Sequence, residues 1–265
     1  MDNSLWGALA VLLLAVTMVF QAIRGVLIRK KVYLPAVIYL VTVTGLIPTY
    51  GFSDTLIAAI CTSLMLFAFD VAIVKQHSNA PLFFVGATSI FAIFFVPKLI
   101  VLLPLAFLLL AQIGRFSLKD ISAIFVGWLT SILFIYTVLF VFDNQVQVWN
   151  DWLAGLLTMN EVSIGSTTEW LRAACSLILL IVMIVGSVTK YMPQVYTARR
   201  SISVYISLLI VIAVTSILTG GISRDVQFIS AIPVAWIAAY YYSATDNIGS
   251  KILVYSYLAL SLFIG

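Results

Sequence analysis

Three charged residues lie within or beside long apolar stretches, where a charge is costly unless it has a partner or a role. Asp70 falls in "LMLFAFDVAIVK", and Lys98 is the single charge in "FAIFFVPKLIVLLPLAFLLL". Arg115 follows the second stretch. Ionisable groups at membrane depth are rare, and they mark ion pairs, substrate sites or proton paths. We therefore predict Asp70, Lys98 and Arg115 as candidate substrate-binding residues.

Asp70 precedes Lys75 by five residues, which at 1.5 Å per residue places it roughly 7 Å inside the end of its apolar segment. Three interpretations are open. Asp70 forms a structural ion pair with Arg24, Lys75 or Arg115, it is a proton or substrate site, or it is exposed at the membrane interface. Other polar residues of the apolar segments are expected to form hydrogen bonds between helices: Gln21, Gln112, Thr130 and Ser131.

Lys98 follows Pro97 near the middle of the apolar stretch 80–111. Two full membrane crossings need about 40 residues, so this stretch predicts a short hairpin over 82–113 that turns at Pro97-Lys98. The hairpin either crosses a thinned bilayer or turns back before the far surface. Lys98 either extends its ammonium group to the interface or lies in a protein-lined cavity facing an anionic group.

Sequence motifs for several kinds of chemistry are absent. The chain has no Gly-rich phosphate loop, paired-histidine zinc motif or GxSxG nucleophile elbow. Its one histidine, His77, has no second ligand at metal-binding spacing. We therefore predict no metal and no cofactor, and we assign no catalytic residue. The net charge of +4 comes from basic residues in short loops, so we predict no nucleic-acid partner.

The elements that position the charged residues are continuous apolar segments. The chain has 265 residues, of which 63% are hydrophobic and 9% are charged, whereas soluble domains carry roughly 25% charged residues. A soluble fold of this size exposes too much surface to hide so many apolar side chains. Continuous rather than alternating apolar runs favour helices over a β-barrel. We predict a single all-α integral membrane domain over 1–265, a polytopic transmembrane helical bundle with 8–10 spans.

Up to ten segments carry this pattern. Their predicted bounds are Leu5–Ile23, Tyr33–Ile47, Thr55–Val74, Leu82–Val96, Leu99–Ile113, Ile121–Phe142, Trp170–Val188, Ile202–Leu218, Phe228–Tyr242 and Ile252–Gly265.

The basic residues predict how the bundle is oriented. With the N-terminus outside, eleven of the fourteen Lys and Arg residues fall in inside loops and three fall outside. Membrane proteins keep Lys and Arg in short cytoplasmic loops, so this count agrees with an outside N-terminus. The first apolar run lacks the basic start of a cleaved signal peptide and is predicted to be the first span. We place the chain in the bacterial inner (plasma) membrane, in contact with membrane lipid.

One long polar break, 143–170, lies outside in this topology. Large apolar residues recur within it at helical spacing and predict an amphipathic helix near 147–158 that lies on the outer surface. The helix is either a connector, a rim over an outward-opening cavity, or a docking surface for a partner. Its predicted interfacial anchors are Trp149, Trp152, Leu153 and Leu156.

The segment "FAIFFVPKLIVLLPLAFLLLAQIGRFSLKDISAIFVGWLTSILF" resembles an uncharacterised family of bacterial multi-pass inner-membrane proteins over about residues 80–145. Its short hairpin is also similar to one in polyprenyl-linked sugar polymerases and class C glycosyltransferases. That resemblance implies a basic residue near the hairpin turn, a position that Lys98 occupies. The chain lacks the long first outer loop with acidic residues of those enzymes, so no catalytic residue is transferred.

Three functional classes follow from these observations. The favoured hypothesis is a non-enzymatic subunit or scaffold of an envelope complex, with an envelope protein as partner. The first alternative is handling of a polyprenyl-linked saccharide on the outer face, transferase-like or flippase-like, with Lys98 facing a phosphate. The second alternative is a small-solute transporter with Asp70 in its path.

Overall fold

A computed structural model describes residues 3–24, 27–28, 31–44, 53–142, 145–157, 167–189, 196–218, 224–244 and 247–262. These described residues form eleven α-helices, and a 3-10 turn, Pro97–Val101, lies between the fourth and fifth. The helices are α1 Asn3–Arg24, α2 Leu34–Thr44, α3 Asp54–Val74, α4 Ala80–Phe95, α5 Leu102–Gln112, α6 Leu118–Val141, α7 Gln145–Leu157, α8 Thr167–Thr189, α9 Tyr196–Leu218, α10 Arg224–Ala244 and α11 Ile248–Leu262. The predicted all-α class is confirmed.

The predicted segments correspond one to one with these helices. The ten apolar segments and the helix near 147–158 match α1–α11 in order, and the hairpin over 82–113 is α4, the 3-10 turn and α5. The largest boundary error is at α9, which begins at Tyr196 rather than at Ile202. Arg199 and Arg200, predicted in a loop, therefore lie near the start of a helix.

Four helical segments within the described residues are long and apolar enough to cross a membrane: Gly7–Arg24, Asp54–Val74, Leu118–Val141 and Tyr196–Thr215. They expose large apolar side chains such as Leu12 and Leu129, as expected for surfaces solvated by lipid. These four helices indicate a multi-pass membrane protein. Six further apolar helical segments are 10–17 residues long. The number of spans, 8–10, and the outside N-terminus therefore stay predictions.

Helix α10 forms the centre of the bundle. It contacts α2, α3, α8, α9 and α11, and its residues 228–241 are buried except for the half-buried Ser230. A helix that is enclosed on every side must be apolar or small on every side. The sequence "FISAIPVAWIAAYY" meets that requirement.

Helices α4 and α6 cross with their backbones in contact. A methyl group at Gly86 would clash with the carbonyl oxygen of Ile124, and one at Gly127 would clash with that of Phe83. Small residues permit this close approach, which membrane bundles use to gain packing contacts. The crossing attaches α6 to the bundle, although only 22% of its span is buried.

Helix α7 lies against the tip of the hairpin. It contacts the 3-10 turn, and the Trp152 indole donates a hydrogen bond of 3.1 Å to the carbonyl oxygen of Ile93. Lys98 is half-buried in the same turn. The helix predicted near 147–158 and the turn predicted at Pro97-Lys98 are therefore confirmed. The position of α7 on a membrane surface stays a prediction, because Trp152 contacts protein.

Candidate functional site

Asp70 lies in the last part of α3, and the whole residue is 5% exposed. Both α9 and α10 pack against α3. The Tyr205 hydroxyl of α9 donates a hydrogen bond of 2.7 Å to Asp70 Oδ2. A carboxyl group in such an apolar interior is stable only with partners of this kind.

Ser201 lies beside Asp70, and Trp236 packs against its partner Tyr205. Ser201 lies one helical turn before Tyr205, and its hydroxyl is beside the Asp70 carboxyl group. The Trp236 ring of α10 stacks on the Tyr205 ring, with centres 5.3 Å apart and planes 17° apart. Each of these three residues is 1% exposed. The carboxyl group thus has two hydroxyl groups of α9 beside it, those of Tyr205 and Ser201.

Three buried polar atoms of this cluster form no hydrogen bond with the described residues: Asp70 Oδ1, Ser201 Oγ and Trp236 Nε1. The carboxyl oxygen accepts, the indole donates and the hydroxyl does both. An unsatisfied buried polar atom costs about 1–3 kcal/mol, so native interiors contain few of them. This arrangement can take up a proton at Asp70 or hold a small polar group against Oδ1.

Two of the interpretations left open for Asp70 do not fit this geometry. Asp70 forms no ion pair with Arg24, Lys75 or Arg115 among the described residues, because Arg115 pairs with Asp120 instead. Burial also excludes exposure of Asp70 at an interface. A proton or substrate role for Asp70 stays a prediction.

Arg115 joins the end of α3, the loop after it and the start of α6. Its Nη2 donates to Asn79 Oδ1 at 3.1 Å and to Asp120 Oδ1 at 2.5 Å. Its Nη1 donates to three carbonyl oxygens, those of Ala72, Lys75 and Ser78, at 3.4, 3.3 and 3.0 Å. The last carbonyls of a helix lack helical partners and attract a cation. These bonds occupy the guanidinium group internally, and a substrate role for Arg115 stays a prediction.

Two helix caps place Arg115 and Asp120 opposite each other. Gly114 has φ +69°, the left-handed conformation that favours glycine, and the Arg115 N–H donates to the Leu110 carbonyl, as in a Schellman cap at the end of α5. Ser117 caps α6 by accepting from the Asp120 N–H at 3.2 Å, and its hydroxyl donates to Asp120 Oδ2 at 2.7 Å. The five-residue turn therefore fixes both charged groups.

A polar pocket of about 570 Å³ opens beside the Arg115–Asp120 pair. It is lined by the α3–α4 loop, the α5–α6 turn and the start of α9, including Gln76, His77, Tyr196 and Arg200. The Arg200 guanidinium donates to the Ile113 carbonyl, and its central carbon lies 3.9 Å from the centre of the Tyr196 ring. The pocket thus combines a positioned cation with other polar side chains.

The three predicted binding residues do not form one site. Arg115 contacts Asn79 beside the start of α4, whereas Lys98 follows the end of that 16-residue helix, about 24 Å away along its axis. Asp70 is on the Arg115 side, since Arg115 also contacts the carbonyl of Ala72. Asp70 and Arg115 therefore lie towards one end of the bundle and Lys98 towards the other.

Hydrogen bonds between helices occur at two of the four predicted polar residues. Gln21 Nε2 donates to Ser63 Oγ at 2.9 Å, and Gln112 Nε2 donates to Ser207 Oγ at 2.7 Å. Thr130 instead donates within α6, to a carbonyl oxygen one turn earlier.

The predicted partners of Asp70 omitted Tyr205 and Ser201. Their four-residue spacing puts them on one helix face, but the sequence does not reveal that α9 packs on α3.

Comparison of the chain with protein-family models, curated proteins and solved structures found no match. The family resemblances predicted from residues 80–145 therefore stay predictions.

Proposed function

We propose that the chain is a multi-pass membrane protein that moves a small solute, and that protonation of Asp70 is linked to this movement. The observation that carries the proposal is the buried carboxyl group, with Oδ2 bonded to Tyr205 and Oδ1 without a hydrogen bond among the described residues. Acids inside helical membrane bundles are retained mainly for ion, proton or substrate handling.

The absence of a cationic partner among the described residues distinguishes this site from a structural ion pair. Oδ2 accepts from Tyr205, and the Ser201 hydroxyl lies beside the carboxyl group. Proton uptake would turn Asp70 Oδ1 from a hydrogen-bond acceptor into an O–H donor. The Ser201 hydroxyl oxygen can accept the hydrogen bond from that donor. The two protonation states would then favour different hydrogen bonds between α3 and α9, which is how a proton can bias a helix arrangement.

A second buried polar contact lies along the same face of α3. Gln21 of α1 donates to Ser63 Oγ, and Gln21 Oε1 forms no hydrogen bond with the described residues. Ser63 precedes Asp70 by seven residues, or about 10 Å along the helix, so the two side chains share a face. Together they supply polar positions at two depths of the bundle interior, as a solute path requires.

Proton movement in liposomes tests this proposal. The purified protein is reconstituted around a pH-sensitive dye, a pH gradient is imposed, and pools of amino acids, sugars and organic acids are added outside. We expect one pool to accelerate proton movement with the natural chain and not with Asp70→Asn. Asp54→Asn makes the same chemical change at an exposed acid of the same helix and is expected to retain activity. Equal rates for the natural chain, Asp70→Asn and empty liposomes would overturn the proposal.

A subunit or scaffold of an envelope complex is the second candidate. It is favoured by α6, whose span is only 22% buried and exposes aromatic side chains such as Phe125, Phe134 and Phe140. A partner helix on this face would predict that Phe134→Ala reduces co-purification of a protein while Asp70→Asn is tolerated. Retention of the same co-purifying proteins by both variants would count against this candidate.

Handling of a polyprenyl-linked saccharide rests on Lys98, which is half-buried in the hairpin tip beside α7. This alternative predicts a stoichiometric polyprenyl-phosphate lipid in mass spectra of the purified protein, lost in Lys98→Ala while protein abundance is unchanged. The same lipid content in Lys98→Ala would exclude a binding role for this lysine.

A further inference from the structure

We propose that the polar pocket between the α3–α4 loop, the α5–α6 turn and the start of α9 binds a phosphate group, with Arg200 as its charged ligand. This site is distinct from the Asp70 cluster and does not depend on the function proposed for it. The ligand is either the phosphodiester of an anionic lipid headgroup or a soluble phosphate compound, which share the chemistry that Arg200 recognises.

Among the described residues, the charges that line the pocket leave one cation without an anionic partner. Arg115 and Asp120 neutralise each other, and the remaining contacts of Arg115 are to neutral oxygens. Arg200 forms no ion pair with any carboxylate of the described residues. The described residues that line the pocket therefore carry a net positive charge before a ligand binds.

The Arg200 guanidinium is held in place by three neighbours. One nitrogen donates to the Ile113 carbonyl, and the central carbon lies 3.9 Å from the centre of the Tyr196 ring. The other terminal nitrogen lies beside Gly114, 2.6 Å from where a methyl group on that glycine would be. A cation fixed in this way loses little conformational freedom when it binds an anion, which favours affinity.

The position of Arg200 in its helix also favours an anion. Arg199 and Arg200 lie near the start of α9, where the helix dipole is positive and cations are destabilising. A phosphate at this end offsets both the dipole and the arginine charge. Gln76 and His77, which also line the pocket, offer further hydrogen-bonding groups to the same ligand. The volume of about 570 Å³ leaves room for the rest of a phosphate ester.

Thermal unfolding of the full chain in nanodiscs tests the proposal. Unfolding is measured in neutral phosphatidylcholine with added inorganic phosphate, against sodium chloride of equal ionic strength, and separately in nanodiscs that contain phosphatidylglycerol. The variant Gln76→Glu places a negative charge in the pocket at an exposed position, and Gln147→Glu makes the same change on the exposed side of α7. We expect Gln76→Glu to need about tenfold more ligand for the same rise in unfolding temperature. Gln147→Glu should need the same ligand concentration as the natural chain.

Arg200 is tested with its exposed neighbour Arg199 as the matched control. Arg200→Gln should weaken binding at least as much as Gln76→Glu, and Arg199→Gln should have little effect. Stabilisation by inorganic phosphate identifies a soluble ligand, and stabilisation by phosphatidylglycerol alone identifies a lipid headgroup. The proposal would be overturned if neither inorganic phosphate nor phosphatidylglycerol stabilised the protein. It would also be overturned if Gln76→Glu and Gln147→Glu showed the same dependence of unfolding temperature on ligand.

Discussion

Trp152 of α7 donates its indole hydrogen bond to the carbonyl oxygen of Ile93, at 3.1 Å, and this is the carbonyl that Pro97 leaves without a helical donor. In a continued α-helix the Ile93 oxygen would accept from the N–H of residue 97, but proline has no N–H. The indole replaces the missing donor. The proline that ends α4 therefore creates the acceptor by which α7 attaches to the hairpin.

This relationship predicts a difference between two tryptophans. Trp152→Phe keeps an aromatic ring but leaves the Ile93 carbonyl without a donor, so we expect a loss of about 1–3 kcal/mol in the free energy of unfolding. Trp149→Phe changes the neighbouring ring, 5.9 Å away, and should cost less. Thermal unfolding in mild detergent compares the two. Equal losses would mean that the hydrogen bond does not hold α7.

The contact between α4 and α6 predicts that a single methyl group separates the helices. Gly127→Ala places that methyl group against the Phe83 carbonyl, and overpacking of this kind costs typically 1–3 kcal/mol. Gly249→Ala adds the same methyl group where no atom lies within 4 Å. We expect a lower unfolding temperature for the first variant only. A stable Gly127→Ala protein would contradict the close helix crossing.

The pairing of Arg115 with Asp120 predicts strong coupling between these residues. Arg115→Met leaves a buried carboxylate and several carbonyl oxygens unpaired, which typically costs about 3–5 kcal/mol. The double variant with Asp120→Asn should lose clearly less than the sum of the single losses. Lys119→Met removes an exposed neighbouring cation and should be nearly neutral. Additive losses in denaturant unfolding would show that the pair does not act as a unit.

The orientation of the bundle is testable by cysteine labelling in cells. Cys61 and Cys175 are free thiols and are replaced first. We expect Leu153→Cys on α7 to react with an impermeant thiol reagent from outside, and Leu118→Cys at the start of α6 to react only after permeabilisation. Both positions are exposed, at 50% and 86%. The opposite labelling pattern would invert the predicted topology.

Lys98→Cys then distinguishes the two interpretations of that residue. Labelling from outside at the rate of Leu153→Cys places position 98 at the interface and excludes a closed cavity. Protection of position 98 while Leu153→Cys reacts would support a lysine enclosed within the protein.

The sequence predicted the helices well because their signal is local. A continuous apolar run between polar breaks identifies each helix without knowledge of its neighbours. The start of α9 was missed because Arg199 and Arg200 look like loop residues in a membrane protein, where basic residues follow the end of a span. In the structure a helix begins before them, at Tyr196.

The candidate site was harder to predict because it depends on which helices meet. The apolar surroundings of Asp70 identify it as unusual, but its partner Tyr205 lies 135 residues later in the chain. Arg115 was predicted as a partner of Asp70 or a substrate ligand, and its ion-pair partner in the structure is Asp120, five residues later in the first turn of α6. Contacts between helices depend on shape, which a single sequence does not display.

The central position of α10 has a consequence for how the protein is made. The helix begins at Arg224 of a 265-residue chain, so most of the helices that enclose it are synthesised before it. Until α10 enters, α2, α3, α8 and α9 surround a centre that has no occupant. A ribosome that pauses shortly before α10 therefore holds a chain in which the faces that α10 later covers are open to lipid and to membrane proteases, and the entry of α10 is the step that protects them.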